Sequence, residues 1–240
     1  MNRGDSDPGQ DGAVILSAQG IHKVFETDVE RLHVLRGVDL EVERGQIICV
    51  VGPSGVGKST LLHILGTLDR PTEGSVRLNS EDLFSRDDRE LAIIRNRYIG
   101  FVFQYHHLLP DFTARENILI PVMIQHKISP YDIEKASLLL RTLGLTEREH
   151  HRPAELSAGE RQRVAIAKAL INDPLIVFAD EPTGSLDRHS SEQLYQLMFN
   201  LARERETAFL VVTHDESLTQ QGDHVYRLEE GQLKEESHAL

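Results

Sequence analysis

A single glycine-rich segment constrains the fold of this chain more than any other feature. Gly52-Pro53-Ser54-Gly55-Val56-Gly57-Lys58-Ser59 fits the pattern G-x-x-x-x-G-K-[ST]. The apolar run 46–51 precedes it, as expected of a strand buried on both faces, and residues of helical character follow at 58–65. Glycines let backbone N–H groups cradle phosphate oxygens, and the helix directs its positive end at the same anion. We therefore expect a nucleotide-phosphate site, with Lys58 at the β- and γ-phosphates and the Ser59 hydroxyl on Mg²⁺.

A pair of acids follows a second buried strand. Residues 175–179 are apolar, and Asp180 and Glu181 come directly after them. An acid at the carboxyl end of a buried parallel strand lies where ligands bind, and Asp180 is the natural partner for Mg²⁺ there. In strand geometry the Glu181 side chain points away from that of Asp180, which frees Glu181 to activate water for attack on the γ-phosphate. The alternative, two acids at a solvated strand end, is the weaker interpretation beside a phosphate loop.

The hydrophobic pattern divides the rest of the chain into β-rich parts and a helical part. Val38, Leu40 and Val42 alternate with acids, which indicates a half-exposed antiparallel strand. Strand–helix alternation later in the chain predicts a mostly parallel sheet with helices on both faces. A helical stretch at about 85–172 is expected to be an inserted subdomain. The predicted strands are 13–25, 34–42, 46–51, 75–78, 99–103, 175–179, 207–213, 225–228 and 232–233, and the predicted helices are 58–65, 133–143, 158–172 and 188–203.

Composition narrows the class of protein. The chain has 240 residues, 40% hydrophobic and 27% charged, which is ordinary for a globular domain. Its net charge of −12 argues against chain-wide binding of nucleic acid, which needs basic charge. Cys49 is the single cysteine and lies in an apolar run, so we expect a buried thiol and a reducing compartment. Residues 1–12 are polar and predict a disordered extension, followed by one domain over 13–236 and a tail at 237–240.

Four further motifs complete a resemblance to the ATP-binding subunits of ABC transporters, over nearly all of 16–234. Gln104, after the strand 101–103, resembles the Q-loop. Leu156-Ser157-Ala158-Gly159-Glu160 resembles the signature motif, Gly184-Ser185-Leu186-Asp187 the D-loop, and Thr213-His214-Asp215 the H-loop. The resemblance implies an α/β fold, with a P-loop NTPase (ABC ATPase) core, a mostly parallel sheet, an antiparallel β subdomain and an inserted α-helical subdomain. It also implies ATP hydrolysis, with Mg²⁺ as the metal.

The resemblance assigns a role to each motif residue. Glu181 is the expected base, and His214 is expected to bond the γ-phosphate and orient the attacking water. Gln104 is expected to ligate Mg²⁺ or its water, and Phe25 stands where the family has the aromatic ring that stacks on adenine. The expected catalytic residues are Lys58, Gln104, Glu181 and His214, the expected metal ligands are Ser59, Gln104 and Asp180, and the expected nucleotide-binding residues are Phe25, Gly52, Pro53, Ser54, Gly55, Val56, Gly57, Lys58, Ser59, Thr60, Ser157 and Gly159.

The signature motif predicts a second helix N-terminus that can meet a phosphate. Ser157 is a good N-cap for a helix that begins near Ala158. The resemblance implies that two chains pair head to tail, each contributing Ser157 and Gly159 to the other's ATP. The family usually has glycine where this chain has Ala158. The methyl group is harmless if φ is negative and costly if the backbone must be left-handed.

Three segments point to a subfamily. Residues 104–113, 160–167 and 209–215 are similar to the ATPases of lipoprotein-releasing complexes of Gram-negative bacteria. ATPases of macrolide-efflux and cell-division complexes are the alternatives, and a non-transport ABC ATPase is a more distant one. The resemblance implies integral membrane permease subunits as partners, a homodimer with ATP sandwiched, no nucleic acid, and a peripheral position on the cytoplasmic face of the inner membrane.

A membrane partner needs a docking surface. Leu108, Leu109 and Phe112 form an apolar stretch beside a loop proline, and we expect it to receive a short helix of the partner. The alternative is ordinary packing within the helical subdomain.

Overall fold

The computed structural model describes residues 13–26, 31–215 and 222–236. The extension predicted at 1–12 and the tail predicted at 237–240 lie outside the described residues. The strands are β1 (Val14–Glu26), β2 (Arg31–Glu43), β3 (Ile47–Val51), β4 (Glu73–Leu78), β5 (Glu81–Asp82), β6 (Ile99–Phe103), β7 (Ile176–Asp180), β8 (Ala208–Thr213), β9 (His224–Glu229) and β10 (Gln232–Glu235). The α-helices are α1 (Lys58–Leu65), α2 (Asp88–Tyr98), α3 (Ala114–Gln125), α4 (Pro130–Thr142), α5 (Ala158–Leu170) and α6 (Arg188–Arg205).

Strands β1, β2, β4 and β5 form an antiparallel sheet in the order β2-β1-β4-β5. Along β2 the side chains of Val38, Leu40 and Val42 are buried, whereas Asp39 and Glu41 between them are exposed. This is the alternation that the sequence predicts for a half-exposed strand. The antiparallel part of the expected fold is therefore confirmed.

A six-stranded sheet has the order β10-β9-β3-β8-β7-β6. All its pairs are parallel except β10 with β9, so the predicted parallel sheet is confirmed as well. Strand β3 is buried along its whole length, and β8 likewise. The register pairs Val51 with Thr213, Val212 with Asp180, and Asp180 with Phe103. The carboxyl ends of β3, β8, β7 and β6 consequently meet at one edge.

The two faces of the six-stranded sheet pack against different partners. Phe209 and Val211 of β8 belong to a cluster with α3, α4, α5 and α6. Leu210 and Val212 of the same strand belong to a second cluster, with α1 and the antiparallel sheet. Because neighbouring side chains on a strand point to opposite faces, one strand contributes to both clusters.

The helical region holds α2 to α5, and the strand β6 lies inside the range 85–172 that the sequence assigns to it. Strand β6 nevertheless pairs with β7 as an edge strand of the six-stranded sheet. The exact boundaries of the inserted subdomain stay a prediction. Helix α4 begins at Pro130, earlier than the predicted residue 133, because Ser129 caps it and proline suits the first helical position. Helix α5 ends at Leu170 rather than at 172.

Side-chain caps begin five of the six α-helices in the described part of the chain. Asp87, Thr113, Ser129, Ser157 and Asp187 each accept a hydrogen bond from a backbone N–H in the first turn. Helix α1 is the exception, since Gly57 precedes it and offers no side chain. Over the described ranges, no helix has both the length and the apolar character needed to cross a membrane.

Candidate active site

The phosphate loop joins β3 to α1 and needs glycine at two positions. Gly52 has φ +153°, and a Cβ there would lie 2.5 Å from the carbonyl oxygen of Leu228. Gly57 has φ +111°, and a Cβ there would lie 2.7 Å from Cγ1 of Val34. Both backbone conformation and space therefore exclude other residues. The loop follows a path that only this glycine pattern allows.

Lys58 and the N-terminus of α1 bring positive charge to the same place. The Lys58 ammonium donates to the carbonyl oxygens of Gly52 at 2.7 Å and Pro53 at 3.1 Å, and the residue is only 7% exposed. No side chain caps α1 and its first turn has no acid, so its first backbone N–H groups are left for another acceptor. A helix end of this kind beside an ammonium group is an anion site.

Asp180 is the last residue of β7 and faces the start of α1. Asp180 lines the same cleft as Ser59, the second residue of that helix. Burial raises the pKa of Asp180 above its ordinary value, and the nearby Ser59 hydroxyl opposes this shift. The hydroxyl and the carboxylate together are oxygen donors of the kind that Mg²⁺ prefers.

Glu181 follows Asp180 but has left the strand. Its φ is +45°, an uncommon left-handed conformation for a residue with a side chain. The premise that strand alternation separates the two acids is therefore wrong, because β7 ends at Asp180 and the backbone turns at Glu181. Its backbone N–H donates to the Val212 carbonyl oxygen at 2.9 Å, which ties the turn to β8. Strain of this kind is typical of functional positions.

Two donors hold one oxygen of the Glu181 carboxylate. Thr213 Oγ1 donates to Oε2 at 3.2 Å, and His214 Nδ1 donates to the same oxygen at 2.9 Å. The His214 side chain is 69% exposed, whereas that of Glu181 is 18% exposed. The histidine thus lies at the surface of the site and the glutamate within it.

A cleft of about 450 Å³ brings together the phosphate loop, Asp180 and Glu181. It is lined by Phe25, Leu32, Val34, Ser54, Gly55, Gly57, Lys58, Ser59, Thr60, Gln104, Asp180 and Glu181. Phe25 lies near the end of β1, is 41% exposed, and has the Lys23 ammonium 4.9 Å from its ring centroid. The cleft therefore has an aromatic ring at its β1 end and charged groups beside the phosphate loop.

Gln104 reaches this cleft from the end of β6. Its amide packs against Gly184, where a Cβ would lie 2.8 Å from Nε2 of Gln104. Gly184 has no left-handed φ, so close approach rather than backbone conformation explains the glycine. Gln104 consequently contacts both the cleft and the loop that leads into α6.

The N-terminus of α5 lies outside the cleft and is occupied by its own side chains. The Glu160 backbone N–H donates to Ser157 Oγ at 3.2 Å, and the Ser157 backbone N–H donates to Glu160 Oε2 at 2.8 Å. Arg148 Nε also donates to Glu160 at 2.8 Å. These bonds, with that from Arg148 the largest, lower the pKa of Glu160 to about 2. The predicted N-cap at Ser157 is confirmed.

Ala158 and Gly159 form the first helical positions of α5. Neither has a positive φ, so the methyl group of Ala158 meets the condition under which the sequence predicts it to be harmless. A Cβ on Gly159 would meet only Cδ2 of Leu186, at 4.0 Å, which is ordinary contact. Packing within the described part of the chain therefore does not require glycine there.

The family profile of the ABC transporter matches residues 35–184, more than half of the chain. The chain belongs to the ABC transporter family. It is accordingly an ATPase cassette, and ATP is its nucleotide. The predicted family, fold class and enzyme class are confirmed.

Curated relatives and solved structures resemble this ABC cassette over nearly its whole length. The lipoprotein-releasing system ATP-binding protein LolD of Pseudomonas syringae pv. tomato is 49% identical, covering 92% of this chain and 97% of that protein. The LolD protein of Cytophaga hutchinsonii is 48% identical over 90% of this chain and 97% of its own length. The dimeric post-hydrolysis structure of the ATP-binding cassette MJ0796 bound to ADP and Pi has a TM-score of 0.85 and 37% identity, covering 93% of this chain and 98% of that one.

The cassette brings most of the predicted site residues together, with informative exceptions. His214 touches the site through Glu181 and lines a neighbouring cavity with Thr183 and Gly184. Gly52, Pro53 and Val56 shape the loop but do not line the cleft, and Ser157 and Gly159 lie outside it. The sequence interpretation missed Thr183 and Tyr195, which bond each other, and it named Thr213 within the H-loop without expecting its bond to Glu181. Only the position of Thr213 beside His214 could have drawn attention to them.

The apolar stretch after Gln104 differs from its expected form. Leu108 is half-buried and packs against the helical cluster, whereas Leu109 is 45% exposed. A groove of about 350 Å³ lies alongside, between β6, α2, α3 and α5. Phe103, Pro121 and Ile124 contribute to its apolar lining. The helical region thus has an open, largely apolar groove beside the stretch 108–112.

Proposed function

We propose that this ATPase cassette powers the release of lipoproteins from a membrane, as a pair of chains that act with integral membrane permease subunits. The observation that carries the ATPase part is the cleft in which the phosphate loop, Gln104, Asp180 and Glu181 converge. The lipoprotein part rests on the LolD relatives, which are 44–49% identical to this chain. In this proposal the cassette lies against the cytoplasmic face of the inner membrane.

ATP binding follows from the charges of the cleft. Adenine stacks on the Phe25 ring, since an aromatic ring offers a flat face for stacking. The β- and γ-phosphates accept hydrogen bonds from the loop and α1 backbone N–H groups and from Lys58. Lys58 exchanges its two carbonyl partners, Gly52 and Pro53, for phosphate oxygens.

Ser59, Gln104 and Asp180 fit a magnesium ion. They supply a hydroxyl, an amide and a carboxylate to one cleft, all oxygen donors. The partly buried Asp180 carboxylate, whose pKa burial raises, would gain a compensating positive charge. When bound, the ion supplies neutralisation of charge on the β- and γ-phosphates.

Hydrolysis needs a base and a group that orients water. Glu181 Oε2 already accepts two hydrogen bonds, from Thr213 and His214, so Oε1 is the oxygen that accepts a proton from the attacking water. The exposed His214 ring donates to Glu181 through Nδ1, and it could donate to the γ-phosphate through Nε2 as well only when both ring nitrogens carry a proton. Catalysis is positioning and electrostatic stabilisation, as phosphoryl transfer requires.

The second half of each site comes from the other chain. Ser157 and Gly159 sit at a helix N-terminus outside the cleft of their own chain, and among the described residues a Cβ on Gly159 would meet only Leu186 Cδ2, at 4.0 Å. A phosphate brought by a partner would meet the free N–H groups of Ala158 and Gly159. The dimeric MJ0796 structure with ADP and Pi supports this arrangement, at 37% identity.

The substitution Glu181→Gln tests the site. It removes the base but keeps the shape and one oxygen, so we expect ATP binding to persist while turnover falls by about 10²–10⁴-fold. The ATP-loaded variant should also run as a dimer in size-exclusion chromatography. Near-normal steady-state hydrolysis would overturn the role given to Glu181.

The proposed partnership with a permease needs a docking surface on the cassette. The groove of about 350 Å³ beside β6 is lined mainly by apolar side chains, and Arg95 and Lys168 lie at it. A short amphipathic helix of a permease suits a groove of this kind. Gln104 directly follows β6, so a helix in the groove would lie beside the residue that contacts the nucleotide cleft.

Affinity purification from detergent-solubilised membranes tests the transport proposal. Recovery of lipoprotein-release subunits with the tagged full chain would support it. Recovery of efflux or cell-division subunits instead would favour those alternatives and overturn the lipoprotein assignment. Recovery of ribosomes or DNA ends would overturn transport altogether.

A further inference from the structure

Gln104 lies in a sharp turn that follows β6. His106 has φ +58° and His107 has φ +46°, so two consecutive residues with side chains adopt the left-handed conformation. The His106 backbone N–H donates to the Phe103 carbonyl oxygen at 3.1 Å, and the ring centroids of Phe103 and His107 lie 4.8 Å apart. A backbone of this kind persists only where the surrounding contacts hold it. The position of Gln104 therefore depends on what holds the turn 103–107.

Helix α5 supplies a side chain to each end of this turn. At the first end, the Gln162 amide donates through Nε2 to the Phe103 carbonyl oxygen at 3.3 Å. At the other end, the Lys168 ammonium donates to the His107 carbonyl oxygen at 2.8 Å. One helix is thus bonded to both carbonyl groups that flank residues 104–106.

The bond from Gln162 acts on the backbone next to the Gln104 side chain. The Phe103 carbonyl and the Gln104 N–H belong to one peptide group, which is planar. Two donors, the Gln162 amide and the His106 N–H, meet the oxygen of that plane. Together they fix the orientation of the plane, and with it the direction in which the Gln104 side chain leaves the backbone. That side chain lines the nucleotide cleft.

Stability alone does not explain a glutamine at position 162. The residue is fully buried, yet its Oε1 has no hydrogen-bond partner in the described ranges of the chain. His106 Nε2, in the turn, is likewise buried without a partner there. An unmade hydrogen bond of a buried atom costs at least as much free energy as an ordinary one contributes. An apolar side chain of the same length would therefore be no less stable at position 162.

We propose that Gln162 is a positioning residue for ATP hydrolysis, which holds Gln104 in the nucleotide cleft through the Phe103 peptide group. Lys168 supports the opposite end of the same turn. The inference rests on the proposed role of Gln104 in the ATP site. Without these two bonds the left-handed turn relaxes and Gln104 leaves its place in the cleft. Chemistry then slows, because the groups around the phosphates are no longer aligned.

The first experiment measures turnover of the full chain, purified together with the membrane proteins that accompany it. Gln162→Met keeps the length of the side chain but removes the amide. We expect kcat to fall about fivefold, with KM for ATP within about twofold and Tm not lowered. In the Gln104→Ala background the same substitution should have no further effect on kcat, because the group that it positions is absent.

Arg163→Met is the matched control on the same helix. The Arg163 guanidinium donates to the Leu143 carbonyl oxygen at 3.4 Å, at the end of α4 and not in the turn. The substitution therefore removes a side-chain donor from α5 but leaves both bonds to the turn 103–107 in place. We expect it to keep kcat.

A second experiment observes the turn without measuring activity. Tyr105 is 80% exposed and the chain has no tryptophan, so Tyr105→Trp places a single fluorescent probe in the turn. In the full chain alone, Gln162→Met and Lys168→Met should each raise the amplitude of the fast anisotropy decay about twofold, since the turn moves more freely. Lys168→Arg should reverse this change, because arginine returns a donor to the His107 carbonyl. Arg163→Met should leave the decay unchanged.

The results distinguish this inference from the proposed site. Unchanged kcat or unchanged anisotropy in Gln162→Met, while Gln104→Ala has lost turnover, would overturn the inference alone. Unchanged anisotropy in Lys168→Met would remove Lys168 from it. An equal loss of kcat with and without Gln104, a matching loss in Arg163→Met, or a fall in Tm that accounts for the loss would show that Gln162 serves packing only. Normal turnover in Gln104→Ala would overturn the role proposed for Gln104 itself.

Discussion

The N-termini of α1 and α5 are two helix ends that meet anions in different ways. Helix α1 begins after Gly57 without a side-chain cap, and Lys58 supplies a positive charge beside it. Helix α5 begins with a reciprocal pair of hydrogen bonds between Ser157 and Glu160, and Arg148 holds that glutamate. One end is left open by the chain, while the other is largely satisfied by the chain itself.

This difference fits two proposed roles: the N-terminus of α1 binds the nucleotide of its own chain, and that of α5 contributes only when two chains pair. The open end of α1 lies in a cleft with an aromatic ring and two acids, and it can bind ATP in a single chain. The capped end of α5 satisfies part of the helix terminus within the chain. In the proposed dimer, the N–H groups of Ala158 and Gly159 would be left for a partner's nucleotide, and completion of the site would depend on dimerisation.

The largest expected effect is a loss of ATP affinity when the uncapped N-terminus of α1 loses the charge of Lys58. Lys58→Ala removes the charged donor beside α1, and charge-assisted hydrogen bonds contribute about 1.5–3 kcal/mol each. We expect ATP affinity of the isolated chain to fall about 10–150-fold, measured by fluorescent-nucleotide titration. Ser157→Ala should bind ATP as the wild type does in the same titration. An equal loss of affinity in both variants would remove the distinction between the two ends.

A smaller effect, on ATPase turnover, is expected when Gly159 at the N-terminus of α5 is changed. Gly159→Asp adds a carboxylate where a partner's phosphate would approach, yet its Cβ has only Leu186 nearby, at 4.0 Å. We expect ATPase turnover to fall by about tenfold or more through repulsion, while Tm and single-chain ATP affinity hold, since an acid suits a helix N-terminus. Tyr131→Asp, at the same helical position of α4, is the matched control and should keep full turnover. A fall in Tm without loss of turnover would argue for a purely structural glycine.

The smallest effect is expected at Ala158. Ala158→Gly restores the glycine that the family usually has, and the backbone there already has helical φ. We expect steady-state turnover to change less than about tenfold, because no strain is relieved. A larger gain would mean that the methyl group limits the closure of the site.

Motif-based prediction succeeded where function follows directly after a strand. Gln104 and His214 are each the first residue after a short buried strand, so their place at one sheet edge could be inferred from apolar runs and the parallel topology. The same reasoning found Asp180. It went wrong only in the detail of Glu181, since a left-handed turn cannot be inferred from strand alternation.

Prediction was weakest for contacts between distant segments. Thr183, Tyr195 and Thr213 are far apart in the sequence and each resembles an ordinary buried residue of its element. Tyr195 lies on the apolar side of α6, where a tyrosine is usually core. Only the fold places Thr183 against Tyr195 and Thr213 against Glu181. Helix α3 was also left unassigned, because Pro121 interrupts its apolar pattern.

The aligned carboxyl ends of the parallel strands determine which length changes this chain can tolerate. A one-residue insertion within β7 would shift the pleat by one position, so that Asp180 would face the wrong side of the sheet and the turn at Glu181 would be displaced. An insertion at 126–129, between α3 and α4, would change no such register. Single-residue insertions in the short strands are therefore expected to be more damaging than long ones in the helical connections, although they add far less chain.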